Sequence, residues 1–251
     1  MEDKKFIEGL FVKNGVELLD GPCWGMSLKA AASMRFRWNE TNENRISFLT
    51  QIAGSKKICQ AELIHSHIVF NLVTGEEIVN KKGDGLITDN KNLMPVVTVA
   101  DCMPIFIYDS VKKVFGILHS GWKGTGILKD AILLAEEKYG SCPEDFSIVM
   151  GPHIHDCCYK VDFERARYFR DNFTKDCIRQ EGDKYALSLA KANFFVAKKM
   201  GVKKENIVIS SECTCCNKKF GSFRRETAIY SPDVPLEERK FTVQSAWVKW
   251  Q

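Results

Sequence analysis

Two histidines and one cysteine lie in sequence contexts that suit a metal ligand. His65 lies in IHSHIV, Cys102 in VADCMP and His119 in LHSGWKG, each at the end of a predicted strand or in the loop beside it. Two imidazoles and one thiolate form a borderline-soft ligand set that suits Zn²⁺. The fourth tetrahedral position stays open for water or substrate, which is typical of a catalytic site.

The spacing of these three residues does not by itself establish a metal site. No CxxC or HExxH pattern connects them, and a single cysteine is more often a small buried apolar residue. Each histidine is also compatible with a hydrogen-bonded side chain that binds no ligand. The small neighbours Ser66 and Ser120-Gly121 leave room for a ligand to approach and favour the metal interpretation.

The elements that would position these residues are patterned most clearly between residues 84 and 139. Apolar β-branched runs predict three strands, at residues 95–100, 104–108 and 114–118. Asp109-Ser110 predicts the turn between the second and third of them. After the glycine-containing corner HSGWKGTG, apolar residues at helical spacing predict a helix that ends at Gly140.

The second half of the chain continues this alternation of strands and helices. Its pattern predicts strands at residues 146–150 and 207–209 and amphipathic helices at residues 163–173 and 187–200. The chain has 251 residues, of which 45% are hydrophobic, so it can bury a large core. We therefore expect a mixed α and β protein in which residues 1–251 form one domain.

Composition excludes some classes of partner. The net charge is only +4, and lysines and arginines are scattered, whereas nucleic-acid binding favours a basic stripe. Small anionic substrates remain compatible with this charge. The N-terminal segment has no signal-peptide pattern and no segment is apolar for long enough to span a bilayer, so we expect a cytoplasmic protein without a membrane partner. We expect it to be a monomer or a homodimer. In the cytoplasm the ten cysteines are expected to be reduced.

Seven motifs, in chain order, resemble the YfiH-type family. They are HSHIV, DGLIT, VTVADCMPI, HSGWKGT, GPHIHDCCYKV, ECTCC and FGSFRR. The combination of ADC with HxGWKG is highly specific to this family, and the match spans roughly residues 20 to 230. The family was first labelled multicopper polyphenol oxidase or laccase-like and was later interpreted as purine nucleoside phosphorylase with adenosine deaminase activity.

The resemblance implies both a fold and a metal site. The implied fold is α+β, a layered α/β/β/α sandwich with mixed sheets in a single domain. The implied ligands of one zinc ion are His65, Cys102 and His119, and copper is the less expected metal. His67 is also close in sequence, but the family's ligand histidine precedes Ser or Gly as His65 does, so we expect His67 to be a neighbour only.

Asp101 and Cys102 are the candidate catalytic residues. Asp101 directly precedes the ligand cysteine, where an acceptor would orient a metal-bound histidine or a polar substrate. In a deaminase reaction it would also move protons. A carboxylate that caps a turn is the alternative interpretation of Asp101.

Four further residues are candidates for binding substrate and phosphate. Trp122 and Lys123 follow His119 at the predicted start of a helix, where backbone amides and the helix dipole favour an anion. Arg45 in NENRISF and Arg224 in FGSFRRE match family motif positions, and a guanidinium suits phosphate. A surface lysine, a buried tryptophan and structural ion pairs are the alternatives.

The sequence departs from the family at two segments. Members carry a SLNL segment and a Gly-Asp pair ahead of the NR motif, whereas this chain has SMRFRWNETNENR, and FGSFRR replaces FFSYRR. These changes leave the metal ligands untouched but affect a segment expected to line the nucleoside pocket.

The resemblance thus implies a zinc-dependent enzyme that phosphorolyses adenosine-, inosine- or guanosine-type nucleosides and deaminates adenosine. Three alternatives remain open: an amidase-type hydrolase that edits peptidoglycan precursors, a non-catalytic zinc-containing binding module, and a copper polyphenol oxidase. A fourth protein ligand on the metal would favour the binding module, and several coppers per chain would favour the oxidase.

Two cysteine-containing segments fall outside this site. His153, His155, Cys157 and Cys158 lie close together, and Cys213, Cys215 and Cys216 form a CTCC cluster. A structural zinc between the segments would be chemically sensible. The resemblance to the family, in which similar cysteine-rich segments serve in packing, favours the prediction that these cysteines pack in the protein interior without a metal.

Overall fold

The computed structural model describes residues 4–231 and 233–251. Residues 1–3 and 232 of the predicted domain lie outside the described residues. The described part contains sixteen strands: β1 Phe6–Leu10, β2 Val12–Lys13, β3 Val16–Glu17, β4 Pro22–Ser27, β5 Lys57–Cys59, β6 Val69–Asn71, β7 Gly85–Thr88, β8 Leu93–Val99, β9 Met103–Asp109, β10 Phe115–Ser120, β11 Phe146–Met150, β12 Lys160–Val161, β13 Ile178–Glu181, β14 Lys184–Leu187, β15 Ile207–Ile209 and β16 Gln244–Trp250.

Five α-helices accompany these strands: α1 Glu43–Ala53, α2 Ile127–Tyr139, α3 Phe163–Asn172, α4 Leu189–Met200 and α5 Phe223–Glu226. Short 3₁₀ helices lie at Lys29–Ala31, Pro143–Asp145, Lys175–Cys177, Lys204–Asn206 and Leu236–Glu238. Across residues 4–231 and 233–251, every helix falls short of the length and apolar character needed to cross a bilayer.

Two mixed sheets contain most of the strands. The first has the order β1-β4-β16-β8-β5, in which only the β5–β8 pair is parallel. The second has the order β15-β11-β9-β10-β7-β6, with parallel pairs at its two edges. A three-stranded sheet, β12-β14-β13, and the small hairpin β2-β3 complete the strand pairing.

The two large sheets pack face to face, with helices outside them. Phe106 and Ile117 of the second sheet share one buried cluster with Val97 and Ala246 of the first. The opposite face of the second sheet packs against α2 and α4, and the outer face of the first packs against α1. This arrangement confirms the predicted α/β/β/α sandwich and explains why every residue of β9 and β10 is buried, since both of their faces are covered.

Helix α2 shows how the local sequence specifies an element. Its apolar residues recur at spacings of three and four, which places them on one buried face against the second sheet. Gly140 ends the helix at a φ of 65°, and its N–H donates to the carbonyls of Ala135 and Glu136. A left-handed residue at this position favours glycine because it has no Cβ.

The structure confirms the predicted elements and shifts several boundaries. The strand predicted at 146–150 and the helix that ends before Gly140 are found as expected. The strands predicted at 95–100, 104–108 and 114–118 are observed as Leu93–Val99, Met103–Asp109 and Phe115–Ser120. The sequence pattern did not predict α1 or β16, which lie in segments of mixed polarity.

Adjacent residues on α2 provide a test of this packing. Ile132 is completely buried, whereas Leu133 is 43% exposed. We expect Ile132→Ala to lower the free energy of unfolding by about 2–5 kcal/mol, because the substitution removes buried methyl groups and leaves a cavity. The matched Leu133→Ala variant should change it by no more than about 0.5 kcal/mol. Urea denaturation of the two variants measures both values, and equal losses would contradict the assigned face.

Candidate metal centre and adjoining cavity

The three predicted metal ligands converge at one point beside the second sheet. One ligand atom from each of His65, Cys102 and His119 lies within 4.8 Å of the other two. His65 Nε2 is 3.9 Å from Cys102 Sγ, and the two imidazole rings meet edge to face. A tetrahedral zinc ion with ordinary bond lengths separates such nitrogen and sulfur atoms by about 3.5 Å. The donor set therefore fits a zinc ion after side-chain shifts of a few tenths of an ångström.

Each predicted ligand comes from a different part of the fold. His65 lies in the loop between β5 and β6 with a φ of 59°, a left-handed conformation that is uncommon outside glycine. Cys102 lies in the turn between β8 and β9, and the preceding Asp101 also has a positive φ, of 80°. His119 is part of β10, and the pairing of β10 with β9 fixes its backbone.

Asp84 holds two of these ligands in place. Its carboxylate oxygen Oδ1 accepts hydrogen bonds from the backbone N–H of His65 at 2.9 Å and from Nδ1 of His119 at 2.8 Å. Its Oδ2 accepts the N–H and the hydroxyl of Ser66, at 2.6 and 2.7 Å. Because Nδ1 of His119 donates to Asp84, Nε2 is the nitrogen left for a metal. Sequence reasoning missed Asp84, although it begins the DGLIT motif.

The electrostatics of the site favour a thiolate at Cys102. Burial alone would raise the pKa of this thiol, but the positive charge and hydrogen bond of His119, with His65, lower the pKa to about 6. Burial opposes the charge on His119, yet the Cys102 thiolate and the Asp84 carboxylate raise the pKa of its imidazole. Hydrogen bonds from His119 and Ser66 outweigh burial at Asp84 and lower the pKa of its carboxyl to about 2.

Gly121 gives the ligands the space they need. A Cβ at this position would lie 2.7 Å from Cys102 Sγ and 3.1 Å from Cδ2 of His65. The first distance is shorter than real Cβ contacts and the second is tighter than most of them, so a side chain at Gly121 would displace Cys102 and crowd His65.

A cavity of about 420 Å³ opens beside the three ligands. Its size is within the range typical of pockets for small molecules. The predicted substrate residues Trp122, Lys123 and Arg224 line it, as do Asp101 and Cys102. Apolar and aromatic side chains form much of the remaining wall: Ile64, Ile154, Tyr159, Leu189 and Phe223.

Arg165 is a cavity residue that the sequence pattern did not indicate. Its guanidinium carbon lies 3.9 Å from the centre of the Trp122 ring, in cation–π contact. Its Nε is buried and has no hydrogen-bond partner in the described parts of the chain. The residue lies on α3, far in sequence from the metal-ligand motifs, so only the fold brings it to the cavity.

Asp101 contacts the loop that precedes Arg224 and does not bond to a ligand histidine. Its carboxylate accepts the hydroxyls of Thr214 at 2.6 Å and Ser222 at 3.0 Å, and the backbone N–H of Arg224 at 2.6 Å. The predicted role of orienting a histidine ligand therefore belongs to Asp84. Asp101 instead fixes the backbone of a cavity residue, and its role in proton transfer stays a prediction.

Arg45 is the predicted site residue that the structure does not bring to this cavity. It lies on α1, where its guanidinium carbon is 4.6 Å from the ring centre of Phe36. Burial lowers the pKa of Arg45 to about 10. The motif resemblance suggested a phosphate contact, but the helix packs on the outer face of the other sheet. His67, the neighbour of His65, pairs with Asp130 of α2 at 3.0 Å.

The fold and the site together define a two-sheet sandwich protein with a candidate His₂Cys metal centre at the edge of a small-molecule cavity. The profile of the family described as "Multi-copper polyphenol oxidoreductase laccase" matches residues 27–230. The chain belongs to this family, which confirms the resemblance drawn from its motifs.

Relatives in sequence carry the name purine nucleoside phosphorylase. One, from Borreliella burgdorferi, is 34% identical over 181 residues, which cover 69% of this chain and 76% of the relative. Another, from Clostridium acetobutylicum, is 33% identical over 193 residues, covering 74% of this chain and 78% of the relative.

Two solved structures share the fold. YlmD from Geobacillus stearothermophilus superposes with a TM-score of 0.81 at 21% identity, covering 100% of this chain and 98% of that one. YfiH from Bacillus licheniformis gives a TM-score of 0.80 at 24% identity, covering 92% and 93% of the two chains. These likenesses confirm the sandwich architecture.

The Asp84 hydrogen bonds predict an effect on metal affinity. In the wild-type protein, backbone N–H groups donate to the carboxylate oxygens of Asp84. In an Asp84→Asn variant, an amide NH₂ would replace one of these acceptors and would face the donors. We expect zinc affinity to fall by about 10- to 100-fold, as for other groups that orient metal ligands. Competition with a chromophoric chelator measures the affinity, and Asp183→Asn, in an exposed turn, is the control. Unchanged affinity in Asp84→Asn would refute the orienting role.

The lowered pKa of Cys102 predicts the reactivity of the metal-free protein. The thiolate is the reactive form, and it predominates above the pKa, so alkylation by iodoacetamide should be half-maximal near pH 6. An ordinary thiol reaches half-maximal reactivity at pH ~8.5. Mass spectrometry of the Cys102 peptide as a function of pH measures the midpoint. A midpoint near that of an ordinary thiol would show that His119 does not stabilise the thiolate.

Proposed function

We propose that this protein is a zinc-dependent purine nucleoside phosphorylase that also deaminates adenosine. The observation that carries the proposal is the cavity beside His65, Cys102 and His119, which combines aromatic walls with cationic side chains. The purine nucleoside phosphorylase names of the relatives support the same activity.

The aromatic and apolar part of the cavity suits a purine base. Tyr159 and Phe223 provide ring faces and edges, and Ile64 and Leu189 provide apolar surface. A planar heterocycle gains both apolar burial and ring contacts in such a pocket. The volume of about 420 Å³ accommodates a nucleoside and an inorganic anion.

The cationic part of the cavity suits phosphate. Lys123, Arg165 and Arg224 line the same space, and the buried Nε of Arg165 has no hydrogen-bond partner in the described chain. A guanidinium binds phosphate oxygens through paired hydrogen bonds, so Arg165 and Arg224 suit an anion in the cavity. The exposed Lys123 adds a positive charge to the cavity lining.

Phosphorolysis requires both of these regions at once. A phosphate oxygen forms a bond to C1′ of the ribose while the bond from C1′ to the purine nitrogen breaks. The electron pair of the broken bond leaves with the base, which then takes up a proton. The cationic side chains would orient the phosphate, and the aromatic walls would hold the base and keep water from the reacting carbon.

The metal centre extends this chemistry to adenosine deamination. The three donors that would hold zinc are His65, Cys102 and His119, with Asp84 fixing His119. Zinc supplies a Lewis acid, which withdraws electron density from a coordinated molecule and eases loss of its proton. In the deaminase reaction, water replaces the amino group at C6 of adenine and ammonia leaves. Asp101 is the carboxylate among the residues that line the cavity, and it would carry the required proton transfer.

The arrangement of ligands argues against a multicopper oxidase. Reduction of dioxygen to water takes four electrons and in known oxidases uses several coppers held largely by histidines. In residues 4–231 and 233–251 one candidate group contains two histidines and one cysteine, and the other contains four cysteines. The remaining histidines do not join either group.

The direct test is product analysis with zinc-loaded protein. We expect adenosine and phosphate to give adenine and ribose-1-phosphate, with inosine from the deaminase reaction, all resolved by chromatography. Cys102→Ala should abolish the metal-dependent activity. Absence of product from metal-replete wild-type protein would refute the proposal and favour an amidase or a non-catalytic module.

The role of Arg165 has a matched control on the same helix. We expect Arg165→Gln to raise KM for phosphate by about tenfold or more, because it removes a charged hydrogen bond worth about 1.5–3 kcal/mol. Arg167→Gln, whose exposed guanidinium pairs with Glu164, should leave KM unchanged. Steady-state kinetics at saturating nucleoside measures this difference. A rise in KM for nucleoside, measured at saturating phosphate, with no change in KM for phosphate would assign Arg165 to the base instead of the phosphate.

A further inference from the structure

A second group of thiols lies outside the candidate active site. Cys157 and Cys158 are in the loop between β11 and β12, and Cys213 and Cys216 are in the loop between β15 and α5. All four sulfur atoms lie within 4.8 Å of one another. We propose that this cysteine cluster binds one Zn²⁺ ion as a structural centre with four thiolate ligands.

The distances within the cysteine cluster fit a tetrahedral centre. Cys157 Sγ lies 3.8 Å from Cys158 Sγ, 3.7 Å from Cys213 Sγ and 3.6 Å from Cys216 Sγ. The Cys158–Cys216 distance is 3.3 Å. Four sulfurs bound to zinc at ~2.3 Å are about 3.8 Å apart, so an ion at the centre requires only small side-chain shifts.

The backbone of the two loops holds this geometry. His153 and Cys213 form a parallel bridge, and the N–H of Thr214 donates to the carbonyl of His153 at 3.0 Å. The N–H of His155 points at Cys213 Sγ, 3.4 Å away. Cys213 and Cys216 have the C-x₂-C spacing that is common among zinc ligands, and the turn between them is closed by a 2.9 Å bond from Asn217 N–H to the Cys213 carbonyl.

A metal satisfies this cluster better than the alternatives do. All four cysteines are free thiols in the structure. One disulfide would join two of them and leave the other two sulfurs pressed against it. Four thiolates without a cation would repel each other, whereas Zn²⁺ neutralises half of their charge and occupies their centre.

The proposed centre would connect two loops that contribute to the cavity. The first loop supplies Ile154 and leads to Tyr159, which both line the cavity. The second loop contains Thr214, whose hydroxyl binds Asp101 at 2.6 Å. A metal bound here would therefore stabilise the loops that form part of the cavity wall. This role does not depend on which substrate the cavity binds or on the proposed nucleoside activity.

Metal counting separates this centre from the first one. After zinc loading and dialysis, we expect Cys102→Ala to retain one zinc per chain, and Cys216→Ser to retain one fewer than wild-type protein. Elemental analysis by mass spectrometry gives the counts. A Cys102→Ala variant that retains no zinc, or that contains iron with inorganic sulfide, would overturn the assignment of a second zinc.

Cobalt gives a spectroscopic readout of the ligands. In the Cys102→Ala background, Co²⁺ should show intense thiolate-to-metal charge-transfer absorption and the visible bands of a tetrahedral ion. Cys216→Ser in that background should weaken them, and Cys215→Ser, within the same turn, should not. An equal loss in both variants would contradict the proposed ligand set, and a weak octahedral spectrum would contradict a thiolate centre.

Thiol labelling tests wild-type protein, so a variant that fails to fold does not decide the outcome. We expect zinc to slow the alkylation of the four cluster cysteines at least tenfold, and a chelator to restore it. The exposed Cys142 should react at the same rate in both states. Equal labelling of the cluster with and without chelator, or a disulfide within it after purification under reducing conditions, would refute the metal.

Discussion

The buried carboxylate of Asp84 connects the sheet register to the geometry of the candidate metal ligands. Its backbone carbonyl accepts the N–H of His119 at 2.7 Å, and its side chain binds the Nδ1 of the same residue. The same carboxylate gathers the N–H groups of the loop that contains His65. Burying an anion without partners costs free energy, and these hydrogen-bond donors offset that cost for the Asp84 carboxylate. Because Asp84 is itself held in place by burial, its hydrogen bonds fix the positions of His65 and His119.

The loops that meet at the site are held in conformations that the backbone disfavours. His65 and Asp101 both have positive φ angles. Such conformations cost of order 1–3 kcal/mol each and persist where surrounding bonds over-determine them. At His65 the surrounding bonds come from Asp84, and at Asp101 they come from Thr214, Ser222 and Arg224. The dense hydrogen bonding therefore explains why the strained backbone persists at these two residues.

The sequence predicted the parts of this molecule that depend on local patterns. A short apolar run located β11, whose residues are all buried, and apolar residues at spacings of three and four located α2, which buries one face. The motifs located His65, Cys102 and His119, since the few residues around each of them match the family's motifs. Local patterns could not locate Arg165 or exclude Arg45 from the cavity. Both depend on how α1 and α3 pack against different sheets, which is information distributed over the whole chain.

The candidate metal ligands come from one stretch of the chain, whereas much of the cavity wall comes from a later one. His65, Cys102, His119 and Asp84 all lie within residues 65–119, whereas Ile154, Tyr159, Arg165, Leu189, Phe223 and Arg224 follow later. Substitutions in the later stretch can reshape the pocket while the metal ligands keep their supports. Divergence of substrate preference is thus possible in this architecture without a change in metal chemistry, and a shared ligand set among distant members does not imply a shared substrate.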